Sequence, residues 1–469
     1  MDRFGSNDHP RRKKHVVAFL RDITERKRAE KKIQELAFTD NLTGLFNRNY
    51  LEKLVADIEP DNQHHLAVVV IDVDNFKLIN DTQGHLEGDR LLCKISKDIE
   101  RFASAQIVAF RLGGDEFALV INGLPADIQQ AEAETLQLAE SIRKSIESVV
   151  VTSDIQFQIS ASIGIAINLT TETSYEGLLK KADIALYEAK ESGRNRCFLF
   201  RSHMQQKLER QVKLETGLHS ALAHNELMPY LQPQFDKSLR LTGAELLLRW
   251  QHPEYGIVSP AEFIPIAEET RSIIAIELWV IEYACQLLNA WHSTPETQQL
   301  QLAINISVVH FEQTGFIESL ESILSNYVFD RKLLKLELTE TVALVNPEKA
   351  IARMHLLKEK GLGISMDDFG IGHASLNYLR DLPIDQLKID KSFIDRLTSD
   401  TKVKDVVNCI ITLAKALGMQ IIAEGVETQE QKTILESLGC DLYQGYLFSP
   451  AVPLIEFQRF IQENSAVKH

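Results

Sequence analysis

The sequence is short of cysteine, of positive charge and of long apolar runs, and each shortage excludes something. Its five cysteines, Cys93, Cys197, Cys285, Cys409 and Cys440, form no CxxC pair. An odd, scattered set argues against a disulfide framework, suits a reducing compartment and predicts core thiols. Lysine and arginine number 51 against 66 acids, a formal net charge of -15. Such a chain has no basic stripe for a nucleic-acid backbone, so any phosphate ligand must be held locally. No uninterrupted apolar run approaches the roughly 20 residues that span a bilayer, and the basic start lacks the apolar stretch of a secretion signal. The expectation is a soluble, cytoplasmic chain with no nucleic-acid partner and no membrane segment.

What is present is enough for sizeable cores: 44% apolar and 25% charged residues over 469 positions, a length that suits two or three folded units. Residues 1–39 read as a strand-like run (Val16 to Leu20) and then a charged helix with a narrow seam at Ala29, Ile33 and Leu36, spaced as in paired helices. Residues 40–200 alternate apolar strands with helical patterns, including a strand from Ile159 to Ile167, and predict an α+β unit. Residues 201–213 read as a connecting helix. From 214 to 463 strand-like runs repeatedly end on a polar residue before an amphipathic helix, which predicts a TIM-like (β/α)8 barrel with a short tail at 464–469.

Two constellations carry chemistry. In the first, an apolar strand ends in Asp72, Val73 and Asp74, with Lys77 beyond it, and a second strand runs into Gly113-Gly114-Asp115-Glu116 before another apolar run. Side by side, the two strand ends collect Asp72, Asp115 and Glu116. Clustered carboxylates repel one another and become favourable around a hard cation that also bridges phosphate oxygens. The same Gly-Gly turn also describes an ordinary solvated hairpin. In the second, a barrel would bring Glu245, Asn305, Glu337, Asp367, Asp368 and Glu424 to one mouth. Five carboxylates and an amide suit two divalent ions acting on a phosphodiester, with Lys388 placed to orient water or offset charge. Each acid alone would pass as an ordinary surface carboxylate. Asp367-Asp368-Phe369-Gly370 shares letters with the kinase DFG motif, but no glycine-rich loop or HRD motif accompanies it.

Arg111-Leu112-Gly113-Gly114-Asp115-Glu116-Phe117 resembles the signature of GGDEF diguanylate cyclases. The stretches Asp40 to Arg48, Phe76 to Asp81, Gly84 to Asp89 and Ala182 to Lys190 look like the same family's motifs in the same order. The resemblance implies a ferredoxin- or polymerase-palm-like sheet. It gives Asp72, the Val73 carbonyl, Asp115 and Glu116 to Mg²⁺ or Mn²⁺, Asn80 and Asp89 to guanine, and Lys77, Lys190 and Arg194 to the phosphates of GTP. Asp115 would also help deprotonate the attacking hydroxyl. Each family domain binds one GTP, so a homodimer is implied. The inhibitory RxxD site of many cyclases is replaced here by Ser104-Ala105-Gln106-Ile107.

From 214 to 463 the chain is similar to the EAL phosphodiesterases, through Glu245-Leu246-Leu247, Asn305-Ile306-Ser307, Glu337 to Glu340, Asp367 to Gly370, Lys388 to Asp390, Ala423 to Glu427 and Gln444 to Tyr446. The family assigns Glu245, Asn305, Glu337 and Asp367 to one metal and Asp367, Asp368 and Glu424 to another. Arg249, Gln232 and Gln444 go to the cyclic di-GMP substrate, and Glu340 braces the loop after Asp368. Ile371 and His373 depart from the family's usual DFGTG-aromatic loop, which predicts weakened or partner-dependent hydrolysis. Residues 1–39 resemble the tail of a PAS sensor. Three functions fit these resemblances: a bifunctional enzyme, a phosphodiesterase with a GTP-sensing first domain, and a silent cyclic di-GMP receptor.

Overall fold

The structure, a computed structural model, describes residues 36–56, 65–151, 156–168, 175–370 and 376–466. The strand at Val16 to Leu20, the seam residues Ala29 and Ile33, and the Ile371/His373 loop lie outside the described residues. The chain divides after Glu209 into two compact units.

The N-terminal unit is built on a six-stranded sheet, in the order Phe46–Asn47, Ile107–Gly113, Glu116–Leu124, His65–Val73, Ala161–Ile167, Cys197–Leu199. Strand His65–Val73 sits inside, antiparallel to both of its neighbours. Its side chains alternate between two faces, so an unbroken apolar run means burial on both sides. Val69 and Ile71 pack with Leu91, Ile95 and Ile142 of helices His85–Glu100 and Ile128–Ile146. Val68 and Val70 pack with Ala182 and Leu186 of helix Tyr175–Glu191. That last helix lies close: a Cβ on Gly164 would stand 2.1 Å from the Ala182 carbonyl oxygen. The expected single strand Ile159 to Ile167 is interrupted at Ser160, between strands Gln156–Ile159 and Ala161–Ile167.

The C-terminal unit is a closed eight-stranded barrel: Leu241–His252, Gln301–Ile306, Leu334–Thr339, Gly363–Phe369, Gln386–Ile389, Gln420–Ala423, Leu442–Tyr443 and Leu227–Asp236, the last pairing back to the first. It differs from the regular parallel barrel expected. Leu227–Asp236 runs antiparallel to both neighbours. The cause is local: no crossover helix separates it from Leu241–His252, and a tight turn can join only antiparallel strands. The Asp236 carboxylate closes that turn by accepting from the Ser238 and Arg240 amides at 2.8 and 3.0 Å.

Helix Ser202–Ala221 extends beyond the expected connection at 201–213. Met204 packs with Ile184 and Ala185, while Leu214, Leu218 and Ala221 belong to the barrel core. Helix Ile273–His292 is long and apolar enough to cross a membrane by composition, yet ten of its residues, Trp291 and Glu277 among them, are buried in this unit. Of the cysteines only Cys285 and Cys440 are buried. Cys409 is exposed and the other two are intermediate, so the uniform core placement expected for the thiols is incorrect.

Candidate functional site

Parallel pairing sets the barrel mouth. Asn305 is in register with Glu337, and Thr339 with Asp367, so successive strands deliver their polar ends to one level. The Lys388 ammonium, 1% exposed, lies 2.7 Å from Glu337, 2.6 Å from Glu424, 3.3 Å from Asp367 and 3.4 Å from Glu245. Among the described residues no three acidic, histidine or cysteine side chains close on a single metal-sized point; the carboxylates surround the ammonium instead. Asp367 and Asp368 stand where the pairing with Gln386–Ile389 slips, and Asp368 is left-handed at φ 54°. A strand would send these neighbours to opposite faces, whereas a bulge lets both turn to the mouth.

Glu245 is fixed by amides. Its Oε1 accepts from Asn305 Nδ2 at 2.8 Å and its Oε2 from Gln444 Nε2 at 2.6 Å. Because a carboxylate only accepts, both amides must present nitrogen to it, which leaves the Asn305 oxygen free to face a cation. Gln444 Nε2 also donates to Gln232 at 3.1 Å, and its oxygen accepts from Gln234 Nε2 at 2.9 Å. Gln234, a residue that sequence reasoning missed, thus holds the Gln444 oxygen from the other side and reinforces the orientation that Glu245 imposes. The Gln232-Pro233-Gln234 alternation, with both glutamines on one strand face, was the available signal.

The electrostatics follow from burial. Burial, with Glu245 and the other acids nearby, pushes Glu337 well above the carboxylate range against the pull of Lys388. Burial likewise pushes Glu424 to about 8, with Lys388 opposing. Burial acts on Glu245 too, but Lys388, Gln444 and Asn305 together outweigh it and hold that group low. Glu337 Oε1 is buried without a hydrogen bond. Glu424 Oε1 touches the ammonium but lacks hydrogen-bond geometry, the contact being ionic only. An orphaned carboxylate oxygen inside an over-acidic cage fits a divalent cation.

At the rim, Arg249 lies over the Tyr230 ring, 5.5 Å from its centroid, and donates to the Leu248 carbonyl at 2.7 Å. Glu340, 5% exposed, accepts from the Gly370 amide at 3.3 Å, at the entry to the loop after Asp368. Beneath the acids the barrel stays polar: Lys335, Ser365 and Gln386 are all buried, and Lys335 donates to Gln420 at 3.3 Å.

The N-terminal unit gathers a second cluster. Asp72 is the cross-strand partner of Glu116, the Val73 amide donates to the Asp115 carbonyl at 3.3 Å, and Lys190 reaches Asp72 at 2.7 Å. Burial raises the Asp72 pKa, Lys190 opposes, and Asp115 and Glu116 raise it further. A cation among these three acids would relieve that repulsion, so this donor set also fits a hard divalent ion. Asn80 and Asp89 adjoin: the Asn80 amide oxygen occupies the place a Cβ of Gly88 would take, 2.0 Å away. Lys77 and Arg194 are exposed, and neither makes an ion pair with another described residue.

The family described as "EAL domain" matches residues 216–451, and "Diguanylate cyclase, GGDEF domain" matches residues 37–196. The chain belongs to the tandem GGDEF–EAL family. Among the relatives of this GGDEF–EAL chain is the "Bifunctional diguanylate cyclase/cyclic di-GMP phosphodiesterase MucR" of Pseudomonas aeruginosa, 36% identical over 91% of this chain and 62% of that protein. Another is the "Cyclic di-GMP phosphodiesterase PdeR" of Escherichia coli, 33% identical over 94% of this chain and 65% of that protein. The chain thus spans less than two thirds of the length of either. The solved structure described as "PaMucR Phosphodiesterase, c-di-GMP complex" superposes with a TM-score of 0.51 at 35% identity, covering 52% of this chain and 99% of that one.

Proposed function

We propose that this GGDEF–EAL chain turns over cyclic di-GMP, hydrolysing it to linear pGpG at the barrel mouth and making it from two GTP at the N-terminal cluster. The observation that carries the reading is the convergence of Glu245, Glu337, Asp367 and Glu424 on one buried ammonium, with Asn305 turned so that its oxygen is free. With Asp368, five carboxylates face one lysine; fully ionised, as bound cations would make them, they carry four net negative charges, the charge that two divalent cations balance.

Glu245, Asn305, Glu337, Asp367, Asp368 and Glu424 would hold Mg²⁺ or Mn²⁺, which when bound supplies Lewis-acid activation of water and of the phosphodiester. The protein's own groups do the rest. Lys388 offsets charge at the centre, Arg249 at the rim meets a substrate phosphate, and Gln232 and Gln444 line the floor beside Glu245. In the N-terminal unit Asp72, the Val73 carbonyl, Asp115 and Glu116 would hold the metal, and Asn80 with Asp89 reads guanine. An amide and a carboxylate together match donor and acceptor edges that adenine lacks. Lys77, Lys190 and Arg194 meet the triphosphate, and Asp115 assists removal of the attacking proton. One GTP per domain requires two chains face to face, hence a homodimer.

A second reading keeps hydrolysis and makes the N-terminal unit a GTP-binding regulator; the relative PdeR, named a phosphodiesterase alone, favours it. Purified protein with Mg²⁺ and cyclic di-GMP should yield pGpG, and Glu337→Gln should abolish it. No pGpG from the unaltered protein with either Mg²⁺ or Mn²⁺ would refute the phosphodiesterase reading.

A further inference from the structure

Asp74 belongs to none of the sites above, yet it is 4% exposed and receives three donors from two separate segments of the chain. Ser160 Oγ donates to Oδ2 at 2.6 Å, Ser162 Oγ to Oδ1 at 2.6 Å, and the Asn195 amide to Oδ2 at 3.1 Å. The Asp74 amide in turn donates to the Ser160 carbonyl at 3.0 Å, at the residue where the strand expected from Ile159 to Ile167 breaks. That main-chain bond continues the register in which Val73 pairs with Ala161, and the Ser160 hydroxyl adds a second tie to Asp74 at the point where the chain passes from this sheet to the pairing of Gln156–Ile159 with Ser148–Val151.

Asn195 lies in an unusual turn. Gly193, Arg194 and Asn195 are successively left-handed, at φ 105°, 58° and 49°. Glycine takes that conformation freely and asparagine tolerates it, but arginine does so at a cost, and such residues persist where their surroundings over-determine them. Here the surroundings do so from two sides. Asp74 takes the Asn195 amide, while the Asn195 side-chain oxygen accepts from Arg143 and its Nδ2 donates to Glu147 at 3.3 Å. Arg143 is itself locked to Glu140 by a two-pronged contact at 2.9 and 2.6 Å. The turn caps helix Tyr175–Glu191, with the Arg194 amide donating to the Ala189 carbonyl at 3.0 Å. Arg194 itself points out to solvent, exposed, at the end of the helix that carries Lys190 to Asp72.

We infer that Asp74, with Asn195 and Arg143, is a positioning device that holds the Arg194 turn in its left-handed form and so presents Arg194 to the triphosphate of a bound nucleotide. Asp72 and Asp74 then serve the same helix end in two ways, one through the Lys190 ammonium and the other through the main chain beyond it. This rests on the GTP-site reading proposed above. A residue that only stabilised the unit would weaken every guanine nucleotide alike, whereas a device acting through Arg194 weakens the triphosphate and spares the base.

The test is a comparison of GTP and GMP affinity, with Mg²⁺, for the full chain and its Asp74→Ala, Asp74→Asn, Arg194→Ala and Asp74→Ala/Arg194→Ala variants. Loss of one charge-assisted phosphate contact predicts about a tenfold loss for GTP in Asp74→Ala and in Arg194→Ala, with GMP changed less than about twofold. Asp74→Asn should recover most of the loss, because its oxygen can still accept the Asn195 amide while the Ser162 hydroxyl turns to accept from its nitrogen. The double variant should be no worse than Arg194→Ala alone, since both changes remove one contact. Equal weakening of GTP and GMP, or additive losses in the double variant, overturns the inference. If Asp74→Ala does not fold, Ser160→Ala with Ser162→Ala strips two of the three donors. An unchanged GTP-to-GMP ratio there overturns it as well. Unaltered protein that binds neither nucleotide overturns the GTP-site reading itself, and this inference with it.

Discussion

Lys335 offers a quantitative handle on the polar barrel interior. It is 4% exposed, with one hydrogen bond, to Gln420 at 3.3 Å. Burial pulls its pKa from the usual 10.5 down to about 8, with Glu337 and Asp385 opposing the shift and Lys358 adding to it. At about 1.4 kcal/mol per tenfold change in proton affinity, keeping this ammonium charged at pH 7 costs the folded barrel about 3 kcal/mol. Lys335→Met removes that cost and forfeits a hydrogen bond of about 1 kcal/mol. The net gain of about 2 kcal/mol corresponds to a rise of about 4 to 8 °C in the unfolding midpoint of a unit this size. The sign with pH is fixed. Between about 8 and 10.5 the unfolded chain still holds the proton that the folded barrel has released, so the unaltered protein gains stability as pH rises. The advantage of Lys335→Met is therefore full below pH 8 and shrinks above it. Trp250, Trp279 and Trp291 are the only tryptophans and all lie in the barrel unit, so urea unfolding followed by tryptophan fluorescence reads this unit alone. A Lys335→Met protein no more stable at pH 7, or one whose advantage is the same at pH 7 and pH 10, would show that burial of the Lys335 ammonium does not cost the barrel this stability.

Three further outcomes are expected. Gln234→Leu leaves the buried Gln444 oxygen without its donor and loosens the amide, and hydrolysis of cyclic di-GMP should fall about tenfold, as expected when a buried hydrogen bond that orders a group at the site is lost; an unchanged rate in a folded variant contradicts the role. Saturating Mn²⁺, at about 100 times its dissociation constant, should stabilise the barrel by about 2.7 kcal/mol in the same fluorescence assay, chelation should reverse it, and Glu337→Gln should abolish it. Gly164→Ala places a methyl group 2.1 Å from the Ala182 carbonyl oxygen and should destabilise the N-terminal unit by about 3 kcal/mol, visible as rapid proteolysis of that unit while the tryptophan signal of the barrel is unchanged.

Of the acids that close on Lys388, Glu245, expected at a strand end, lies within Leu241–His252, whereas the other three were legible in the sequence because Glu337 and Asp367 stand near the ends of apolar strands and Glu424 just after one. The same holds for Asp72 and Glu116, which end adjacent strands of one sheet. What was hidden depends on pairing. Gln234 and Lys335 read as ordinary polar residues, and only register shows that they face the barrel interior. Asp74 lies two residues from Asp72 in one motif, but its partners Ser160, Ser162 and Asn195 are 86 to 121 positions away, and nothing in their spacing announces them. The antiparallel first barrel strand escaped because the rhythm of strand and helix does not record direction; the turn closed by Asp236 does. The expected strand from Ile159 to Ile167 divides because its two sides take different partners, Gln156–Ile159 pairing with Ser148–Val151 and Ala161–Ile167 with His65–Val73, a tertiary effect that propensity does not carry.

Whether both units are enzymes is decided by chromatography and mass spectrometry on two reactions: Mg²⁺ with GTP for the Glu245→Ala protein, and Mg²⁺ with cyclic di-GMP for the unaltered one, with Asp115→Ala as control. Glu245→Ala should accumulate cyclic di-GMP from GTP, adding Asp115→Ala should stop it, and the unaltered protein should turn cyclic di-GMP into pGpG. GTP left intact by Glu245→Ala, under conditions where the unaltered protein makes pGpG, would contradict the claim that both units are enzymes.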